Sequence, residues 1–141
     1  MKVAGSHTLH AAAEQVWPLI SDPASLISLI PGCDKLEPVG LNEYRGQMQI
    51  ALPAVAGRYE TYVKLLDTTA PYCIRLDGEI RGPAGAIWGS AAFRLTAAGD
   101  QSLLEYEAQG VVAGPLAQMD GRILESVAKA LIKQGLSRLD R

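Results

Sequence analysis

Hydrophobic and polar positions alternate at the start of the chain. Val3, Gly5, His7 and Leu9 fall on one side and Lys2, Ala4, Ser6 and Thr8 on the other, the period of two that predicts a strand. The period then lengthens. Val16, Trp17 and Ile20 fall at helical spacing within 12–20, with Pro18 placed to kink or shorten the helix. Asp22-Pro23 has the form of an N-cap followed by proline at the first helical position, which predicts a second short helix through Leu26, Leu29 and Ile30, stopped by Pro31-Gly32.

From Asp34 to Val112 the chain returns to alternation. Tyr44, Met48 and Ile50 oppose Arg45, Gln47 and Gln49, and Val55, Gly57, Tyr59, Thr61, Val63 and Leu65 oppose Arg58, Glu60, Tyr62 and Lys64. Ile74, Leu76 and Ile80, then Phe93 and Leu95, then Leu104, Tyr106 and Ala108 continue the apolar side. Turn signals at Gly40-Leu41-Asn42, Ala70-Pro71, Gly82-Pro83 and Gly99-Asp100 separate the runs, so an antiparallel meander with one wet face is expected. In the last segment Leu116, Met119, Ile123, Val127 and Leu131 step by three and four, predicting one amphipathic helix of more than twenty residues that starts at Gly114-Pro115. The expected fold is α+β: a curved antiparallel sheet of about seven strands gripping a long C-terminal helix, with two short helices after the first strand. No linker, repeat or low-complexity run interrupts 1–141, so one domain is expected.

A curved sheet and a single helix do not always fill the space between them, and that seam is the natural site for an apolar ligand. Gly5, Gly57, Gly78, Gly89, Ala91 and Ala108 all fall on the predicted inner face, where small residues leave volume or let the sheet bend. The candidate lining is Met48, Tyr59, Ile74 and Phe93 from the sheet, Met119, Ile123 and Val127 from the helix, and Leu26 and Leu29 at the mouth. Each of these would serve equally as plain core. Tyr59 carries a hydroxyl able to fix the polar end of a ligand, and His7, on the inner register, could donate to a ligand carbonyl or be satisfied by backbone.

Composition changes this picture mainly by exclusion. With 13 Lys and Arg against 15 Asp and Glu, a net charge of -2 offers no basic footprint for nucleic acid. Cys33 and Cys73 sit in no paired spacing, so two reduced thiols are expected, with no metal site and no cofactor. His7 and His10 point to opposite faces and cannot act together; the serines lack a GxSxG elbow; Glu60, Glu79, Glu105 and Glu107 fall on the wet face. No catalytic residue is therefore assigned. The opening MKVAGSHTLH has no apolar signal core, and no run reaches the roughly 18 apolar residues of a membrane span, so a cytoplasmic protein is expected. Trp88 takes the outward register beside Ile87. With Tyr62, these two residues are a candidate interface with a partner enzyme or a second copy, unless a bulge at Gly85 or Gly89 returns the indole to the core.

The segments GSHTL, VWPLISDP and IPGC near the start resemble the G-subunit family of carbon monoxide dehydrogenase, within the START-like helix-grip superfamily of polyketide cyclases and lipid-transfer proteins. EYRGQMQIALPAVAGRYE, RGPAGAIWGSAAFRL and GPLAQMDGRILESVAKALIKQ extend the likeness over essentially the whole chain. The resemblance implies a non-catalytic accessory protein of a molybdenum hydroxylase that binds a lipid or quinone-like molecule or tethers the enzyme near the membrane. Many relatives carry an apolar C-terminal extension, and this chain ends at Arg141 without one, so a carrier or assembly role is expected over anchoring. Peripheral membrane contact stays open. So do two alternatives: a cyclase or hydratase using the same pocket, and a closed-core interaction module.

Overall fold

The computed structural model describes residues 1–22, 25, 30, 32–69 and 72–138. Seven strands form one antiparallel sheet: β1 (Lys2–Leu9), β2 (Cys33–Gly40), β3 (Glu43–Ile50), β4 (Gly57–Thr69), β5 (Cys73–Gly82), β6 (Gly85–Ala98) and β7 (Gln101–Ala113). Their order is β1-β7-β6-β5-β4-β3-β2, so the meander runs from β2 to β7 and β1 closes against its far edge. Short connections dictate this, because strands joined by tight turns pair with their neighbours in sequence. Asn42 and Gly99 take positive φ at two of the expected turns.

Helix α1 (Ala13–Ser21) follows β1 and passes through Pro18 without ending there. The second short helix expected at Leu26 and Leu29 lies outside the described residues. The C-terminal helix differs from expectation in its start. Gly114–Gln118 forms a separate 3-10 turn, Met119 is extended, and α2 covers Gly121–Ser137. The physical reason is Asp120, whose carboxylate accepts the Arg122 backbone N–H at 2.8 Å and caps a fresh helix. The break also resets the helical phase. Leu124, Gly135 and Leu136 are buried, whereas Ile123 is 48% exposed. Another short 3-10 turn, Pro53–Val55, precedes β4, so Val55 belongs to a turn rather than to a strand.

The core is divided in two. One cluster gathers Leu9, Ala13, Val16, Ile20, Leu65, Ile74, Leu95, Leu104 and Leu136, and joins α1 and the end of α2 to the sheet. The other gathers Met48, Ile50, Val55, Tyr59, Leu116 and Leu124 at the start of α2. Between them the sheet thins. Val63, Gly78, Gly89 and Gly110 are partners across four adjacent strands, and the next inner row is Leu76, Ala91, Ala108 and Val3.

Gly89 is fixed there by its neighbour. A Cβ would run into the Gln109 carbonyl oxygen and stand 2.6 Å from Gly110 Cα, so backbone would have to move. Gly89→Ala is expected to cost about 2 kcal/mol or more, as overpacking does, read from urea unfolding; an unchanged midpoint would contradict this packing.

Candidate functional site

The inner rows that carry glycine and alanine border open space. The resulting cavity has a volume of about 380 Å³ and lies between the sheet and α2. Such a volume lies within the ordinary range for small-molecule sites. Gly78, Gly89, Gly110, Ala91 and Ala108 floor it. Opposite them α2 presents Ala128 and Gly135, seven residues apart and so on one face, between the larger Leu131 and Leu136. Small residues on both walls keep the two surfaces from meeting, while the flanking clusters hold the walls apart.

Several candidate residues come together at this cavity. Met48, Ile74, Phe93 and Ile87 all border it, as do Ile20, Ile30, Leu76, Ile80 and Leu104. Other candidates stand elsewhere. Tyr59 is 2% exposed inside the second cluster, and its hydroxyl donates to the Val55 carbonyl at 2.7 Å, so that oxygen is already engaged. Met119 and Val127 pack against the second cluster, and Ile123 is turned to solvent by the reset phase of α2. His7 is half-buried on β1 opposite Leu104, outside the cavity lining. Leu26 and Leu29 lie outside the described residues.

Sequence reasoning missed Thr61, Ala128, Ile132, Gly135 and Leu136. For Thr61, alternation gives the inner register but not a place at the cavity. For the helix the missing signal was the Asp120 cap, since counting from it, rather than from Gly114, puts 124, 128, 131 and 135 on the inner stripe.

The cavity wall is almost wholly carbon. Thr61 is the one polar side chain on the inner register among the described lining residues. Glu79, Ser90 and Gln109 each adjoin a glycine of the bare row and alternate toward the outer face. Among the described residues no group of three His, Cys, Asp or Glu side chains is placed to hold a metal.

The outer face has its own row: Arg45, Tyr62, Glu79, Trp88 and Val111 are successive partners across β3 to β7. Pairing runs without a register shift through β6, so Trp88 stays outward and is 41% exposed, with Val111 56% exposed beside it. The Arg45 guanidinium lies 4.8 Å from the Tyr62 ring centroid. The Tyr62 hydroxyl donates to the Glu43 carboxylate, and this bond, ahead of burial, holds its pKa above the ordinary phenol value. Ile87, next to Trp88, points inward to the cavity.

Residues 5–141 match the family of the carbon monoxide dehydrogenase G subunit (CoxG). A conserved protein from Geobacillus kaustophilus superposes with a TM-score of 0.92 at 30% identity, covering 99% of this chain and 93% of that one. A START superfamily protein from Mycobacterium smegmatis gives 0.75 at 13% identity, covering 99% and 94%. A protein from Chromobacterium violaceum gives 0.68 at 15%, covering 99% and 98%. The last two bear on the fold alone, which is START-like. Among curated proteins none matches this sequence.

Gly78 offers a direct check on the cavity. A Cβ there meets only the Tyr62 carbonyl oxygen, at an ordinary 3.7 Å, and the rest of a larger side chain would enter the open space. Gly78→Leu is expected to stabilise the fold by about 1 kcal/mol, through cavity filling and loss of glycine's strand penalty. A loss of more than about 2 kcal/mol in urea unfolding, the range for overpacked cores, would mean that the walls are closed.

Proposed function

The chain belongs to the carbon monoxide dehydrogenase G-subunit (CoxG) family, and we propose that it is a non-catalytic accessory or carrier protein, one START-like domain over 1–141, that binds an apolar small molecule between its sheet and C-terminal helix. The cargo is lipid or quinone-like, and the protein it serves is a molybdenum hydroxylase of the carbon monoxide dehydrogenase type.

One observation carries the reading: both walls are built small where they face each other, Gly78, Gly89 and Gly110 against Ala128 and Gly135. At Gly78, where an added Cβ would meet nothing closer than 3.7 Å, a core selected only for stability would place a larger side chain, since unfilled volume weakens a fold. Carbon walls also give water few partners, so an apolar guest displaces solvent that is held weakly. Binding is favoured over turnover because the inner face, among the described residues, brings no acid, base or nucleophile pair to the cavity. The partner is drawn from the family, and the outer face at Tyr62 and Trp88 is where we expect it to dock. Among the described residues no helix is long and apolar enough to cross a membrane.

Native mass spectrometry of the purified protein, with an organic extract of the same sample analysed for lipids and quinones, tests the proposal. A stoichiometric apolar adduct is expected. Protein that keeps its unliganded mass, even after incubation with a total lipid extract, would contradict it.

A further inference from the structure

Among the described lining residues the inner face carries a single polar side chain at the cavity, and its placement speaks to what the guest must contain. Thr61 lies on β4, beside Gly46 on one strand and Ile80 on the other, with Ile87 next along the row. It is 6% exposed and borders the cavity. Its hydroxyl donates to the Tyr59 carbonyl at 3.4 Å, well beyond the ordinary O–H···O distance, so that bond holds it weakly. A valine would fill the same space in a β-strand at no polar cost. A threonine at this point keeps one O–H able to turn into an otherwise carbon-walled space.

Other polar groups near the cavity do not compete for that role. Tyr62 points to the outer face, where its hydroxyl is bonded to Glu43. Glu79 pairs with Arg81 on the same outer side. Tyr59, the preceding inner-register residue on β4, has its hydroxyl engaged with Val55.

We infer that Thr61 is the polar anchor of the cavity, and that the guest is an apolar body carrying a carbonyl oxygen which accepts the Thr61 hydroxyl proton. This rests on the carrier reading above and narrows its ligand class. A pure hydrocarbon would leave the hydroxyl on its poor bond to Tyr59. A guest with its charged end deep inside would meet no ionised side chain on the described inner register, since the Met1 ammonium at the exposed rim already donates to the Gly110 carbonyl at 2.9 Å. A carbonyl-bearing guest exchanges a 3.4 Å contact for a full hydrogen bond in a low-dielectric site.

The test uses a matched pair of probes, 2-acetylnaphthalene and 2-ethylnaphthalene, which differ in one carbonyl. Each is titrated by fluorescence against the wild type, Thr61→Val, Thr61→Ser and Thr61→Ala. Comparing probes across variants cancels the desolvation of the ketone itself. Thr61→Val and Thr61→Ala are expected to weaken the ketone by about three- to tenfold, the worth of one neutral hydrogen bond, and to leave the hydrocarbon within about twofold. Thr61→Ser, which keeps the hydroxyl, should bind both probes much as the wild type does. If the wild type binds both probes and the variants weaken both alike, or neither, Thr61 is not the anchor while the carrier reading stands. If the wild type binds neither probe, both proposals fall.

Discussion

Everything in this molecule depends on keeping two surfaces apart that an ordinary core would press together. The sheet is a continuous hydrogen-bonded ladder from β2 to β1, and α2 crosses it with its ends seated in different apolar clusters. Leu124 is held at one end and Leu136 at the other, and the Arg138 guanidinium reaches the Ile30 carbonyl at 3.3 Å. Pinned at both ends, the helix spans the middle like a beam over the bare row of Gly78, Gly89 and Gly110. Sealed and dry, that arrangement would be costly. At about 24 cal/mol per Å³, a dry void of 380 Å³ would cost about 9 kcal/mol, comparable to the whole stability of a domain this size. Solvent entry lowers that figure, and a well-fitted apolar guest recovers it. The void therefore makes physical sense as a binding site.

How much of this was legible in the sequence differs between sheet and helix. Strand alternation is local, so Ile74, Phe93 and Met48 could be placed on the inner face from pattern alone, as could Gly78, Gly89, Ala91 and Ala108. Register then follows from the short turns. The helix was harder, because a stripe of apolar residues at three- and four-residue steps runs from Leu116 through the break at Met119. Only the Asp120 cap reveals the new phase. Misreading it moves the inner stripe from Leu124, Ala128 and Gly135 to Ile123 and Val127. Tyr59 shows a second limit. Its strand register was readable, but its hydroxyl is spent on Val55 across a 3-10 turn that periodicity does not signal.

The chemistry is set by the same division of faces. Ionisable groups sit on the outer side, where Arg45, Tyr62 and Glu43 form one local network and Glu79 pairs with Arg81. Around the cavity the described inner side keeps aliphatic residues, Phe93, the glycines and the Thr61 hydroxyl. Under the carrier proposal, a wall of this kind selects its guest mainly by shape. Trp88 and Val111 extend the outer row with exposed apolar surface, on the face of the sheet turned away from the cavity.

The central claim is that the space between the sheet and α2 is real and accessible to apolar matter. A crystal structure of the unliganded protein under xenon pressure tests it most directly, since xenon enters apolar cavities and makes no polar contact. Xenon is expected between the glycine row and the Ala128–Gly135 face, with the backbone unmoved. A helix lying directly on the sheet, with no xenon between them, would contradict the claim.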